Sequence, residues 1–186
     1  MNYIYHGSYK EIKKPDLKIG RIATDFGQGF YLSQNIDNAK KWACKSEKSF
    51  LNTYTLFLDN LSVKEISLDN EWLEIVHTFR NGEIYEFDKN YDVIIGPIAD
   101  DKLFATFELY ELGVLTDKQT IEVMNCMNYG TQYVLKTENA VNNLSFVKCK
   151  ELKGAERALF KQLLQDDIKM ASQKTKEMIQ KIQRGG

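Results

Sequence analysis

The alternating apolar runs of this chain are all short, and that limits it more than any other feature. They are residues 2–5, GFYLS at 29–33, NTYTLFLD at 52–59, LSVKEISL at 61–68, YDVIIGPI at 91–98, TQYVLKT at 131–137 and LSFVKCKEL at 144–152. Each is rich in aromatic and β-branched residues, the pattern of a strand with at least one buried face. Between them lie segments with helical spacing. DNAKKWACKSEKSF at 37–50 can be capped by Asn35 or Asp37 and puts Ala39, Trp42 and Ala43 on one face. DNEWLEIVHTFRNG at 69–82 aligns Trp72, Ile75, Val76 and Phe79 and stops at Asn81-Gly82. Residues 101–112 are a further helical candidate, and in TDKQTIEVMNCMN Thr116 and Gln119 have capping-box spacing. Thr137 can cap one short turn. Asp59-Asn60 predicts a tight hairpin turn between the two runs around it. Short strands interspersed with helices predict an α+β fold with a mainly antiparallel sheet, not a doubly wound one.

From Gly154 the period changes. Phe160, Leu163, Leu164, Ile168, Ala171, Met178, Ile179 and Ile182 recur every three or four residues, which predicts one long amphipathic helix. The expected organisation is therefore a domain over 1–150 and a helical extension over 151–186. A chain of 186 residues, 43% hydrophobic and 27% charged, can bury an ordinary core. Its net charge of −1 gives no general attraction to nucleic acid or anionic membrane. No segment reads as a secretion signal or a membrane span. Cys44, Cys126 and Cys149 are odd in number and widely spaced, so a reducing, cytoplasmic setting is expected. With His6 and His77 far apart, that spacing gives no metal site.

Two stretches carry candidate chemistry. In YIYHGS a histidine, His6, ends the first strand before Gly7 and Ser8. In DFGQGFYLS two glycines feed an aromatic strand. The second is not a dinucleotide-binding loop: the third glycine is missing, and strand, not helix, follows. Gly27 and Gly29 can simply supply unusual backbone angles at a strand entry. His6 can be a half-buried histidine satisfied by backbone. It can equally work with Gly7, whose missing side chain lets backbone approach a flat ligand, and with the Ser8 hydroxyl.

Taken in order, YHGS, FGQGFYLS and QYVLKTENAVNNLSFV resemble the signature strands of the ADP-ribosyltransferases of diphtheria-toxin and PARP type, which carry a His-Tyr-Glu triad. The chain is more closely similar to the bacterial family called domain of unknown function 3990, over about residues 3–149, through those motifs together with AKKWA and YDVIIGPIADDK. The resemblance implies a split sheet and an enzyme that transfers ADP-ribose from NAD. It implies that His6 bonds a ribose hydroxyl, that the Gly7 backbone grips the nicotinamide carboxamide with Ser8 nearby, and that Tyr31 stacks on the ring. Gly29 and Phe30 would belong to the same NAD site, and Arg21 would meet the pyrophosphate. Gln132 stands where the family has its catalytic glutamate. An amide is no base at neutral pH. Weaker chemistry, single transfer, or a base from elsewhere follows, with Glu83, Asp100 and Asp101 the carboxylates to consider. Asp25 reads as a loop cap, and His77, beside apolar Ile75 and Val76, as structural.

Three functional readings stand. One is a mono-ADP-ribosyltransferase acting on a protein or nucleic acid, of toxin or defence type, whose C-terminal helix either packs on its own domain or engages a neutralising partner. The second is an NAD glycohydrolase. The third is a catalytically silent module that binds NAD or ADP-ribose.

Overall fold

The computed structural model describes residues 3–85, 90–99, 104–125 and 130–185. Among these residues seven strands and six α-helices follow in the order β1 (Tyr3–Ser8), β2 (Phe30–Leu32), α1 (Ile36–Ala43), β3 (Phe50–Leu56), β4 (Val63–Glu65), α2 (Asn70–Arg80), β5 (Val93–Pro97), α3 (Phe104–Glu111), α4 (Asp117–Asn125), β6 (Thr131–Leu135), α5 (Glu138–Asn142), β7 (Leu144–Glu151) and α6 (Gly154–Gly185). The fold is α+β, as the short runs predict. The strands form two sheets, β1-β3-β7 and β2-β6-β5-β4. The first is antiparallel throughout; in the second only β4 and β5 run parallel.

The expected hairpin at Asp59-Asn60 does not form. Asn60 does turn the chain, with φ +63, but β3 and β4 go to different sheets. β3 is satisfied by β1 and β7 on its two edges, so β4 must pair elsewhere, and its short run lies along β5.

The helix ends follow their sequence signals. The Asn35 side chain accepts from the N–H groups of Asp37 and Asn38, and Asp69 from that of Trp72. Thr116 and Gln119 form the reciprocal capping box, with Gln119 N–H on Thr116 Oγ1 at 3.3 Å and Thr116 N–H on Gln119 Oε1 at 2.9 Å. Thr137 caps α5 through Ala140 N–H at 3.2 Å.

One face of the sheets buries Tyr54, Phe30, Leu32 and Leu135 against Ala140 and Val141 of α5. The loop after β1 closes that side, held by Tyr54, whose hydroxyl donates to Ile12 O at 2.6 Å, and by Asn52, whose Oδ1 accepts from Ile12 N–H at 2.9 Å. The opposite face carries the larger core, in which Trp72, Ile75, Val76 and Phe79 of α2 meet Phe26, Met124 and Val134. Trp72 is wholly buried and donates its indole N–H to Pro97 O at 3.2 Å. Beside it, α1 and α6 pack over β3, with Ala39, Ala43, Leu51 and Phe160 in one cluster. No helix among the described residues is long and apolar enough to cross a membrane.

Candidate functional site

The two sheets meet at a single bridge. Tyr5 and Ser33 exchange both backbone hydrogen bonds, at 2.8 and 2.9 Å, and the ladder between β1 and β2 goes no further. β2 then pairs with β6 in the register Phe30–Leu135, Tyr31–Val134, Leu32–Tyr133. The strands bearing His6, Tyr31 and Gln132 are therefore neighbours around the split.

Alternation along the strands decides which side chains share a face. Tyr31 stands beside Val134, and Gln132 lies two residues along β6, on the same side. Tyr5 shares that side through its bridge to Ser33, so His6 lies on the other. His6 packs on Phe30 there, the ring centroids 4.3 Å apart. It reaches Tyr31 through the backbone: His6 Nδ1 lies 2.7 Å from Tyr31 O. A carbonyl can only accept, so Nδ1 carries the proton and Nε2 holds the lone pair. Burial pulls the His6 pKa down to about 4, against the opposing pull of that hydrogen bond. The imidazole is neutral at pH 7, with Nε2 as an acceptor.

Gly7 has two distinct surroundings. A Cβ there would stand 1.9 Å from Ala39 O and 2.5 Å from Ala43 N, so α1 lies directly on its α-carbon. The close approach for which this glycine is required is that of a helix. Its N–H and C=O lie on the edge that Tyr5 uses toward β2, and no hydrogen bond among the described residues takes them. Ser8 is drawn into the following turn: its hydroxyl donates to Lys10 O at 2.5 Å and accepts from Asn52 Nδ2 at 3.0 Å.

The loop before β2 is bound on every side. The Tyr31 hydroxyl donates to Gly27 O at 2.7 Å, accepts from Phe26 N–H at 3.0 Å and lies 2.7 Å from Thr24 Oγ1. Lys136 Nζ donates to Phe26 O at 2.6 Å. Gln28 Nε2 donates to the carbonyls of Lys18 and Gly20. Phe26 is wholly buried in the larger core, against which Tyr31 and Trp42 also pack. Gly27 has the expected positive φ, +68. Gly29 does not; it is small because β6 comes close, a Cβ there meeting Val134 Cγ1 at 2.6 Å and Leu135 O at 2.8 Å.

Asp25 is the residue that sequence reasoning missed. It is not a loop cap but a buried node. Its Oδ1 accepts from Arg80 Nη2 at 2.8 Å and Nε at 3.1 Å. Its Oδ2 accepts from Ala99 N–H and from Gln132 Nε2, both at 2.8 Å. Burial pushes its carboxyl pKa up, while Arg80 and the N–H donors pull against that rise. Gln132 is 2% exposed and gives a second hydrogen bond from Nε2 to Pro97 O at 3.1 Å. The sequence signal available was an acidic residue beside a glycine-fed aromatic strand; its partners, on α2 and β6, are distant along the chain.

Of the other predicted residues, Arg21 and Glu83 are exposed. Asp100, Asp101 and Cys126 lie outside the described residues. Cys44 and Cys149 are free thiols. His77 lies 3.5 Å from Glu111 and meets the Tyr110 ring edge-on. No cluster of His, Cys, Asp or Glu among the described residues could hold a metal ion.

Fold and site together define an α+β domain whose sheet is split, with a neutral histidine beside the split and a buried Asp-Arg-Gln cluster on the opposite face. The chain belongs to the family described as protein of unknown function (DUF3990), whose model matches residues 2–146. No curated protein and no solved structure matches it.

Proposed function

We propose that the chain uses NAD as an ADP-ribosyl donor toward a macromolecular acceptor, protein or nucleic acid. The observation that carries this reading is the one-bridge contact between β1 and β2, which leaves the Gly7 N–H and C=O facing the split beside a neutral His6. A carboxamide offers one donor face and one acceptor face, the complement of that backbone edge. His6 Nε2 would accept from a ribose hydroxyl on one side of the split, and Gln132, on the other side, would contact the 2′-hydroxyl of the nicotinamide ribose. In the reaction the bond from the anomeric carbon to the nicotinamide nitrogen breaks, and its electron pair leaves with nicotinamide. A nucleophilic atom of the acceptor bonds the anomeric carbon and gives up its proton to a base. Holding the parts in line supplies several kcal/mol of the barrier, on the order expected for oriented reactants.

A specific observation favours a second reading, a silent module that binds NAD or ADP-ribose. The Tyr31 hydroxyl and the Gln132 amide are both engaged within the protein, by residues 24–27 and by Asp25.

Incubating the full chain with labelled NAD and cell extract tests the proposal. Label on a macromolecule is expected. No label under conditions where NAD binds would count against transfer, and rapid nicotinamide release without extract would identify a glycohydrolase. A toxin-type role would appear as growth arrest on expression, relieved by His6→Ala or Tyr31→Ala. In the silent reading, Gln132→Ala leaves NAD binding and any cellular effect unchanged.

A further inference from the structure

We propose that Asp25 is the positioning residue of this site: it holds the Gln132 amide so that Oε1, not the NH2 group, is turned to a ligand hydroxyl. This deepens the reading above and rests on it for the identity of the ligand, a ribose.

Gln132 has acceptors around its side-chain nitrogen. Its Nε2 meets Asp25 Oδ2 at 2.8 Å and Pro97 O at 3.1 Å. Both neighbours are acceptors. An amide flipped end for end would set its oxygen against a carboxylate and a carbonyl, so the observed orientation is the one the chemistry permits. Both Nε2 hydrogens are then used. Oε1 makes no hydrogen bond among the described residues.

Asp25 can impose this because it is itself fixed. Its remaining partners, Arg80 and the Ala99 N–H, are donors as well. Four nitrogens point at its two oxygens, and every one must donate. Loop, α2, β6 and the segment after β5 are thereby joined at one carboxylate.

The same geometry explains why an amide occupies position 132. A glutamate there would bring a carboxylate oxygen to the place of Nε2, against Asp25 Oδ2 and Pro97 O. Two carboxylates in contact ionise together only at high cost and share a proton instead. Asp25 therefore supplies the negative charge one residue further from the ligand, and Gln132 passes on its orientation.

Three variants of the full chain, Asp25→Asn, Gln132→Ala and Gln132→Glu, test this, with three readouts. In Asp25→Asn an NH2 group must face two of the four donors, and Gln132 loses its charged acceptor. The side-chain amide protons of Gln132, followed by NMR without ligand, are expected to exchange about tenfold or more faster than in the parent, the loss of a hydrogen bond to a charged group. With NAD, the turnover number for nicotinamide release is expected to fall about tenfold or more while KM stays within about twofold, since what is lost is orientation, not binding.

Equal amide exchange in Asp25→Asn and the parent would overturn the proposal, as would unchanged turnover where Gln132→Ala has lost it. If the parent neither binds NAD nor releases nicotinamide, the NAD reading falls, and amide exchange still decides whether Asp25 holds Gln132. Should Asp25→Asn fail to fold, Gln132→Glu alone carries the test. Its carboxylate pair keeps a proton in the folded state, so its urea midpoint is expected to fall, relative to the parent, as pH rises from about 5 to about 8. A midpoint difference flat over that range would overturn the proposal.

Discussion

His6 and Asp25 are the two residues whose titration the fold alters most instructively, and they act in opposite senses. The folded His6 has a pKa of about 4, below the unfolded value of 6.5. Between those values the unfolded chain holds the extra proton, so His6 destabilises the folded state progressively as pH falls from 6.5 toward 4. Burial raises the Asp25 pKa, so its proton is held more readily in the folded state and acid favours folding through that group. The difference between parent and variant isolates each residue. His6→Gln should flatten the loss of stability between pH 6.5 and pH 4, by about 1–2 kcal/mol at the acid end once the half-buried setting of the residue is allowed for. Urea titrations at a series of pH values measure it. Asp25→Ala strips Arg80, Ala99 and Gln132 of their acceptor and should cost about 3–5 kcal/mol at pH 7, the scale for an orphaned buried charge. A cost near that of an ordinary surface change would contradict the node described above.

Among the elements, β2 and the loop that feeds it depend most on a single side chain. The Tyr31 hydroxyl joins Thr24, Phe26 and Gly27 to the strand. Tyr31→Phe keeps the ring in the core and removes that hub. A loss of about 1–3 kcal/mol is expected, because the Phe26 N–H is left without an acceptor in a buried setting. Amide exchange should accelerate most in residues 24–28, and uniform acceleration across the sheet would argue against a local role. The β1–α1 contact makes a different demand. Gly7→Ala pushes a methyl group into the α1 backbone, 1.9 Å from Ala39 O. Neither a strand nor a helix backbone yields easily, so the variant should lose about 3 kcal/mol or more, beyond ordinary overpacking. Loss of activity in that variant would therefore say nothing about nicotinamide, and His6→Ala or Gln132→Ala is the better probe of ligand.

For the molecule as a whole, α6 closes the fold. Phe160, Leu164, Ala171 and Thr175 are buried, and the helix packs on α1, α3 and α4. Arg157 donates to Ser49 Oγ and Ser46 O, and Lys41 pairs with Asp167 at 2.7 Å. Much of the amphipathic stripe is thus spent within the chain, while Leu159 and Met170, each 54% exposed, lie off it. Ending the chain after Lys153 would uncover Ala39, Ala43 and Leu51. The shortened protein should melt at a markedly lower temperature or lose cooperative melting, which differential scanning calorimetry would register. An unchanged melting temperature would mean that α6 contributes little to the core it touches.

Periodicity and capping chemistry are local, and so the sequence alone was enough to determine the strands, the helix starts at Thr116 and Thr137, the long last helix and the α+β class, while the structure chose Asn35 over Asp37 and showed Asp69 as the cap of α2. The pairing of β4 was not legible, because both edges of β3 are filled by strands distant along the chain. Nor was the role of Asp25. Only the tertiary structure sets Arg80, Ala99 and Gln132 around it, and a carboxylate becomes a node when burial removes water and leaves protein donors as its partners. The same holds for His6 and Tyr31. Their strands could be read as a pair, but the faces their rings occupy follow from one bridge, Tyr5 to Ser33, since a shift of one residue there would exchange every side chain between the two faces.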